Sequence, residues 1–394
     1  MSKLKVFEAF AGIGSQSMAL RNIGIDYEVV GISEVDRYAL LSYWAIHHNG
    51  YERYDYNNIT KDEIIEEIKE SNIAYNFSTY KSDIPKNKKD LLKLYNAHKI
   101  TKNYGDIRLI DENKLPNFDL FTYSFPCKNI SIAGEQKGFE EGSNTQSSLL
   151  WECRRIIKSK KPKYLLMENV KNLVSGKHKD VFDLWCKELE DMGYNNYWKV
   201  LNSKYFKVPQ NRERVIMVSI LKNIDKHTFI MPNGVLTNVR VKDILEKNTE
   251  KTFLIDINKL MNPITIEEYK NKNKQLECNK LFQIGTIDIK GIDLMKRIYS
   301  DYGLCPTLNS MTGGNLQPKF ITIENDELII KKLSPLECWR VMGYSDEDFY
   351  KAKNIGNLSN AKLYERAGRG IVVPMLEKVF EELLIKKKKK SVDI

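Results

Sequence analysis

No stretch of the 394-residue chain approaches the ~20 apolar residues that a membrane-crossing helix needs. Met1 to Phe7 run straight into a strand pattern, so neither a signal peptide nor a membrane partner is expected. Cysteine is scarce. The six cysteines, at positions 127, 153, 186, 278, 305 and 338, form no CxxC pair and show no metal-ligand spacing. That argues against a disulfide or zinc scaffold, leaves no metal to expect, and points to reduced thiols in a cytoplasm. Negative charge is also short: the formal net charge is +10, which admits a polyanionic partner without requiring one. The wealth of Lys, Asn, Ile and Tyr reads as coding by an AT-rich genome, which accounts for part of that balance. What is present is enough apolar residue, 42%, and enough length for two domains.

Lys5 to Ala11 reads as a short apolar strand, followed by Ala11-Gly12-Ile13-Gly14-Ser15 and a helical pattern from Gln16 to Asn22. Strand, Gly-x-Gly, helix is the layout of a turn for a nucleotide-type cofactor, although the full dinucleotide spacing is missing. A second strand, Tyr27 to Ser33, ends in Glu34-Val35-Asp36, where an acidic side chain either holds a ribose hydroxyl pair or caps the next helix. Residues 50–104 are polar and read as an insertion, with helices near Lys61–Glu70 and Lys88–His98; it is either a solvated excursion or a DNA-backbone contact. Beyond Gly105-Asp106-Ile107, strands are expected at Asp119–Phe125, Tyr164–Met167, Trp198–Asn202 and Val215–Ile220, with helices at Ser148–Ser159 and Val181–Met192. This alternation predicts an α/β fold with a mostly parallel sheet covered on both faces. After Leu221 the chain turns charged and irregular. The expected division is a catalytic and cofactor-binding domain, 1–221, a smaller domain, 222–325, and a segment, 326–394, that returns to the first. That last segment should hold a helix at Pro335–Met342, mixed strand and helix over Asn360–Ile385, and a solvated tail at Lys386–Lys390.

Four features fall at strand ends on one presumed edge of the sheet: the Gly-x-Gly turn, Cys127, Glu168 and the pair Arg212 and Arg214. Ligands bind outside the carboxyl ends of parallel strands. Cys127 follows Pro126 just past a strand, ahead of a polar segment with Gly134 and Gly138. Alone it reads as a small buried hydrophobe, and the arginines alone read as a surface ion pair with Glu213. Together the set suits one task. A thiolate adds to a carbon of a flat heterocycle, a carboxyl group protonates a ring nitrogen, and a guanidinium grips a ring carbonyl.

On these residues the chain resembles the cytosine-C5 DNA methyltransferases over nearly its whole length and in their motif order. Phe10-Ala11-Gly12-Ile13-Gly14 is similar to their first cofactor motif, Phe125-Pro126-Cys127 to the catalytic motif, and Glu168-Asn169-Val170 to the cytosine-holding motif. Gln210-x-Arg212-x-Arg214 is similar to the arginine motif, and Lys332 to Gly343 to the motif that braces the recognition domain. The insertion, Tyr-Ser-Phe-Pro-Cys and Tyr-Leu-Leu-Met-Glu-Asn-Val look most like the mollicute-type members that methylate CG.

The resemblance implies a Rossmann-like S-adenosylmethionine-dependent methyltransferase domain with a smaller, mostly irregular and β target-recognition domain at 222–325. It implies double-stranded DNA as partner, a monomer, and a cognate restriction endonuclease acting separately. S-adenosyl-L-methionine would be held by Phe10, Ala11, Gly12, Gly14 and Ser15, by Glu34 and Val35, by Asp106 and Ile107, and by Pro126, Leu149 and Arg369. Cys127 would attack C6 of a flipped cytosine, Glu168 would meet N3, Arg214 would contact O2, and Arg212 would support the loop or a phosphate. DNA would meet Lys128, Ser131, Gln210, Thr307, Thr312, Gly313 and Gly314, with Ser131 to Phe139 as a closing loop.

The chain departs from the family pattern at three places. Lys128 stands where Gln is usual, Val35 replaces a bulkier neighbour of the adenine, and Gly368-Arg369-Gly370-Ile371 replaces Gly-Asn-Ser/Ala-Val. Arg369 needs an anion: a DNA phosphate, the cofactor's carboxylate, a local Asp or Glu, or the carboxylate of carboxy-S-adenosylmethionine, which would yield 5-carboxymethylcytosine. A tRNA cytosine-C5 methyltransferase and a non-catalytic DNA-binding relative are the alternative readings.

Overall fold

The computed structural model describes residues 3–50, 59–76, 81–126, 149–274, 279–311 and 315–385. Its main sheet has six strands: β1 (Leu4–Ala9), β2 (Tyr27–Ser33), β3 (Leu120–Tyr123), β4 (Tyr164–Val170), β5 (Tyr194–Asn202) and β6 (Glu213–Leu221). They lie in the order β2-β1-β3-β4-β6-β5. The first four are parallel, and β6 runs antiparallel to both β4 and β5. The expected mostly parallel sheet is therefore present, with one reversed strand. The apolar runs of β3 and β4 are buried on both sides because helices cover both faces.

On one face lie α1 (Ser15–Asn22) and the C-terminal helices; on the other lie α5 (Leu149–Lys160) and α6 (Lys179–Asp191). Between α1 and α5 come α2 (Arg37–His47), α3 (Lys61–Glu70) and α4 (Lys88–Ile100). Residues 222–332 build a second sheet around α7 (Ile266–Lys274). Its strands are β7 (Leu254–Ile255), β8 (Gln283–Thr286), β9 (Arg297–Ser300), β10 (Lys319–Glu324) and β11 (Glu327–Lys332), ordered β8-β9-β10-β11-β7. The chain then returns through α8 (Pro335–Val341), α9 (Asp346–Tyr350), α10 (Asn360–Arg369) and α11 (Val373–Phe380). Ser334 caps α8 in a reciprocal capping box with Glu337, with Pro335 at the first turn. Helix α11 buries Val373, Met375, Leu376, Val379 and Phe380, each contributing about 1.5–3 kcal/mol for a large side chain.

Three expectations need correction. Asn360–Ile385 holds helices and a final π turn but no strand, because the apolar positions of α11 follow the helical repeat. The boundary at 325 cuts through the hairpin of β10 and β11, whose register runs Glu324 against Glu327; the second sheet ends at Lys332. The insertion is not a solvated excursion. Ile64, Ile68, Leu91, Leu94 and Tyr95 from α3 and α4 form a core with Leu40, Tyr43 and Trp44 of α2. The tail beyond Ile385 lies outside the described residues. Among the described residues, no helix is long and apolar enough to cross a membrane, and no cluster of metal-ligating side chains occurs.

Glu8, in the middle of β1, is fully buried. Ser17 Oγ donates to its Oε1 at 2.9 Å, while Oε2 and Thr122 Oγ1, directly across on β3, have no hydrogen-bond partner among the described residues. Burial pushes this carboxyl from the ordinary 4.5 up to about 7. The folded chain therefore keeps a proton that the unfolded chain releases, and stability falls as pH rises through that window, by on the order of 3 kcal/mol. Glu8→Gln should raise the melting temperature relative to wild type more at pH 8 than at pH 5. An equal difference at both pH values contradicts this account.

Candidate active site

The turn after β1 and the loops after β2, β3 and β4 open on one edge of the main sheet, where β6 begins. Phe10 and Gly12 have φ of 55° and 59°. A side chain on Gly12 would meet nothing within 4 Å, so its outer side is open to a ligand. Gly14, at φ 78°, has no such room, since a Cβ there would lie 2.2 Å from His47 Nε2. That nitrogen pairs with the Ile13 carbonyl at 3.1 Å, and burial pushes the His47 imidazole down to about 3, so it is neutral and donates. The turn is built from below by α2.

Glu34 closes the turn from the next strand. Its Oε2 accepts from Gly12 N at 2.8 Å, and its Oε1 from Val35 N and Asp36 N at 2.9 and 2.7 Å. Burial and the adjacent Asp36 push its carboxyl above the ordinary range. The insertion reaches this place. Asn103 bonds Glu34 through both its backbone N and O, Ala74 N donates to Val35 O, and Asn72 donates to Asp106. Asp106 is among the residues that the resemblance assigns to the cofactor. Its carboxylate is instead met by Arg108 through the backbone N and the guanidinium, and by Asn72 at 3.2 Å, so a ligand would have to displace one of them. Ile107 is buried beside it. Asn72 and Asn103 carried no signal in the sequence, because their roles depend on how the insertion folds back.

At the far side of the edge, Phe10, Ser124 and Glu168 lie one residue beyond the register row Ala9, Tyr123, Met167. The Glu168 carboxylate is buried and held on both oxygens. Ser124 Oγ donates to Oε2 at 2.6 Å, and Arg214 Nε stands 3.1 Å from Oε1. Asn169 Nδ2 donates to the Phe125 carbonyl at 3.1 Å, which fixes the backbone leading through half-buried Pro126. Leu149 opens α5, half buried against the second core. Cys127, Lys128, Ser131, Thr312, Gly313 and Gly314 lie outside the described residues, as does the Ser131 to Phe139 loop. Arg214 and Glu168 are brought together as expected. Ser124 was missed, although its place before Phe125-Pro126-Cys127 puts it at the end of the strand beside β4.

Gln210 corrects an expectation, and Arg212 takes the loop-supporting one of its two expected roles. Gln210, expected to face DNA, is fully buried; its amide donates to the Val341 carbonyl and its Oε1 accepts from Leu308 N at 3.1 Å. It is a clasp between the second sheet's loop and α8. Arg212 is also buried, so it meets no phosphate: it donates to the carbonyls of Leu308, Gly368 and Gly370 at 2.8, 3.2 and 3.0 Å. Thr307 is exposed, with its hydroxyl on the Asn211 carbonyl at 2.6 Å. A motif read in line cannot tell which side of the strand an amide or guanidinium takes.

Arg369 is 55% exposed at its side chain and has two local anions, Glu365 at 2.6 Å and Asp36 at 3.3 Å. Asp36 also caps α2 and pairs with buried Arg366 at 2.8 Å. Burial alone would raise the Asp36 carboxyl, but Arg366 more than reverses this and holds it well below the ordinary range. Gly370 has its own reason. A Cβ there would lie 1.8 Å from Tyr344 Oη, which pairs with Ser15 Oγ at 2.9 Å and donates to the Ile371 carbonyl at 3.3 Å. The small residue in the last motif thus makes room for a phenol that ties α1 to α10.

The sheet order with its one reversed strand, the glycine turn after β1 and the acidic end of β2 define a Rossmann-like S-adenosylmethionine-dependent methyltransferase fold. The S. pombe Dnmt2 methyltransferase shares it with a TM-score of 0.58 at 15% identity, covering 98% of this chain and 99% of that one. The Entamoeba histolytica methyltransferase EhMeth does so with a TM-score of 0.59 at 13% identity, over the same shares. These likenesses speak for the fold alone. In sequence, the profile of the C-5 cytosine-specific DNA methylases matches residues 78–385. The type II methyltransferase M2.ScrFI of Lactococcus lactis subsp. cremoris is 42% identical over 96% of this chain and 99% of its own length. The orphan methyltransferase M.SssI of Spiroplasma monobiae is 33% identical over 97% of each. The chain belongs to the C-5 cytosine-specific DNA methylases and is a DNA cytosine-5 methyltransferase. The mollicute likeness is present, at lower identity than the Lactococcus one.

Gly370→Ala should lower the melting temperature and weaken cofactor binding, because the methyl group displaces the Tyr344 hydroxyl from Ser15. Adding Tyr344→Phe should restore most of the melting temperature by removing the clash, but not the cofactor affinity, since the bond to Ser15 is still missing. If the double variant melts as low as Gly370→Ala, the steric account is wrong.

Proposed function

We propose that this enzyme methylates C5 of a cytosine flipped out of duplex DNA, with Cys127 as nucleophile and Glu168 as the group that meets N3. The observation that carries the reading is the Glu168 carboxylate, buried at the end of β4 between Ser124 and Arg214. A stacked base does not offer C6 to a protein thiol, so the base has to leave the helix. Cys127 adds to C6 as Glu168 gives a proton to N3, the resulting enamine reacts at C5, and loss of the C5 proton with elimination frees Cys127. Arg214, held to Glu168 through Nε and to the Glu213 carbonyl through Nη1, keeps Nη2 for the base O2. Arg212 positions the loop.

S-adenosyl-L-methionine, when bound, supplies the electrophilic methyl group. The open outer side of Gly12 and the ordered carboxylate of Glu34 fit it. Ser15, Val35, Ile107, Pro126 and Leu149 would line the rest. The two local carboxylates on Arg369 support plain methyl transfer, with carboxymethyl transfer from carboxy-S-adenosylmethionine as the competing outcome. Sequence choice is assigned to the second sheet and its loops, and CG is the first target to assay. The reading extends to a monomer in the cytoplasm, acting beside a separate restriction endonuclease where one exists.

Cys127→Ser should abolish turnover and keep DNA binding; a tenth of the activity remaining overturns the assignment. Glu168→Gln should slow transfer by about 10²–10⁴-fold with cofactor affinity unchanged. Weakened cofactor binding at normal turnover would make Glu168 a cofactor residue instead. With both cofactors in competition on duplex DNA, nucleoside mass spectrometry should find 5-methylcytosine alone, and Arg369→Asn should not change that. A parallel assay on tRNA should give no product.

A further inference from the structure

We propose that Ser124 is a positioning residue for Glu168, holding its Oε2 through both protonation states that the reaction requires. The inference rests on the role of Glu168 given above. Of the two side chains on this carboxylate, Arg214 can only donate, whereas a serine hydroxyl both donates and accepts. The register places them for this: Ser124 and Glu168 each follow the paired residues Tyr123 and Met167, on the same face of neighbouring strands. The bond is short, 2.6 Å, and Glu168 is nearly free of solvent. In such a site water does not stand in readily for a lost partner.

The proton accounting shows why a two-way partner matters. N3 of neutral cytosine is an acceptor, so Glu168 must meet it as the acid. Arg214 faces Oε1 and offers only N–H, which leaves the proton to Oε2. In the free enzyme Ser124 Oγ donates to Oε2; when Oε2 takes up the proton that the reaction needs, the same serine oxygen can accept from it. As the Cys127 thiolate bonds to C6, the proton passes from Oε2 to N3, the C5–C6 electrons move toward C5, and Glu168 is left as the carboxylate. The Ser124 hydroxyl then turns and donates to Oε2. Once C5 is methylated, a water molecule takes the C5 proton, the C5–H electrons restore the C5–C6 double bond as the C6–S bond breaks and the thiolate leaves, and N3 returns its proton to Oε2. Only the Ser124 hydroxyl hydrogen and the Oε2 proton turn, and the carboxyl oxygens keep their places throughout. Alanine supports neither state, whereas threonine carries the same hydroxyl.

The test uses the full chain on duplex DNA with saturating S-adenosyl-L-methionine, in single-turnover methyl transfer. Ser124→Ala should slow the step on the order of 10–100-fold, the value of a hydrogen bond to a charged group. Dissociation constants for DNA and cofactor should stay within about twofold, and Ser124→Thr should recover most of the rate. In a Glu168→Gln background, Ser124→Ala should have little further effect, because Ser124 acts through Glu168. A Ser124→Ala enzyme at wild-type rate, or an equal loss in both backgrounds, overturns the proposal. If Glu168→Gln alone leaves the rate intact, the Glu168 reading fails first; if it slows transfer and Ser124→Ala does not, only this inference fails.

Discussion

A guanidinium taken out of water has to be met from inside, and Arg212 is met by three main-chain carbonyls from two distant parts of the chain. Leu308 comes from the loop between β9 and β10 of the second sheet, and Gly368 and Gly370 come from the end of α10. Leaving such a charge unmet is costly, so the loop, the helix end and the start of β6 are held in one arrangement. Gln210, two residues earlier, repeats the clasp with a neutral group, joining Leu308 to the end of α8. Lys331 and Glu337, both buried and 2.6 Å apart, then lock the last strand of the second sheet to α8. The loop that holds Leu308 is therefore braced through β6, and β6 carries Arg214 to Glu168.

The turn after β1 and its neighbours are organised by carboxylates in the same way. Glu34 orders the turn after β1 and the end of β2 together, and Asp36 anchors α10 through Arg366. Tyr344, kept a neutral phenol by burial that pushes it up to about 12, links Ser15 to Ile371. The insertion extends this half sideways and supplies Asn72 and Asn103 to it.

Much of this was legible before any coordinates. The strands show as apolar runs bounded by turn residues; Glu168 falls on the edge where the parallel strands end, and Arg214 reaches it because β6, running the other way, begins there. What escaped reading has a common physical cause. The burial of Gln210, the partners of Arg369, the reason for Gly370 and the packing of α3 and α4 are all contacts between segments far apart in the chain. A local pattern carries no information about them. Ser124 is different. Its contact joins neighbouring strands, so the strand order alone would have placed it next to Glu168.

The ion pair of Asp36 with Arg366 bridges 330 residues, and this has a consequence for how the protein comes into being. Ribosomes add on the order of 5–20 residues per second, and chains fold from the N-terminus as they emerge. The loop that ends β2 thus waits for its partner for roughly 15–70 s of translation. During that interval α2 has its cap but not the helix that neutralises it, and the Tyr344 bridge to Ser15 is also still unmade. The contacts that join the first strands to the last helices can therefore form only after nearly all of the chain has been synthesised.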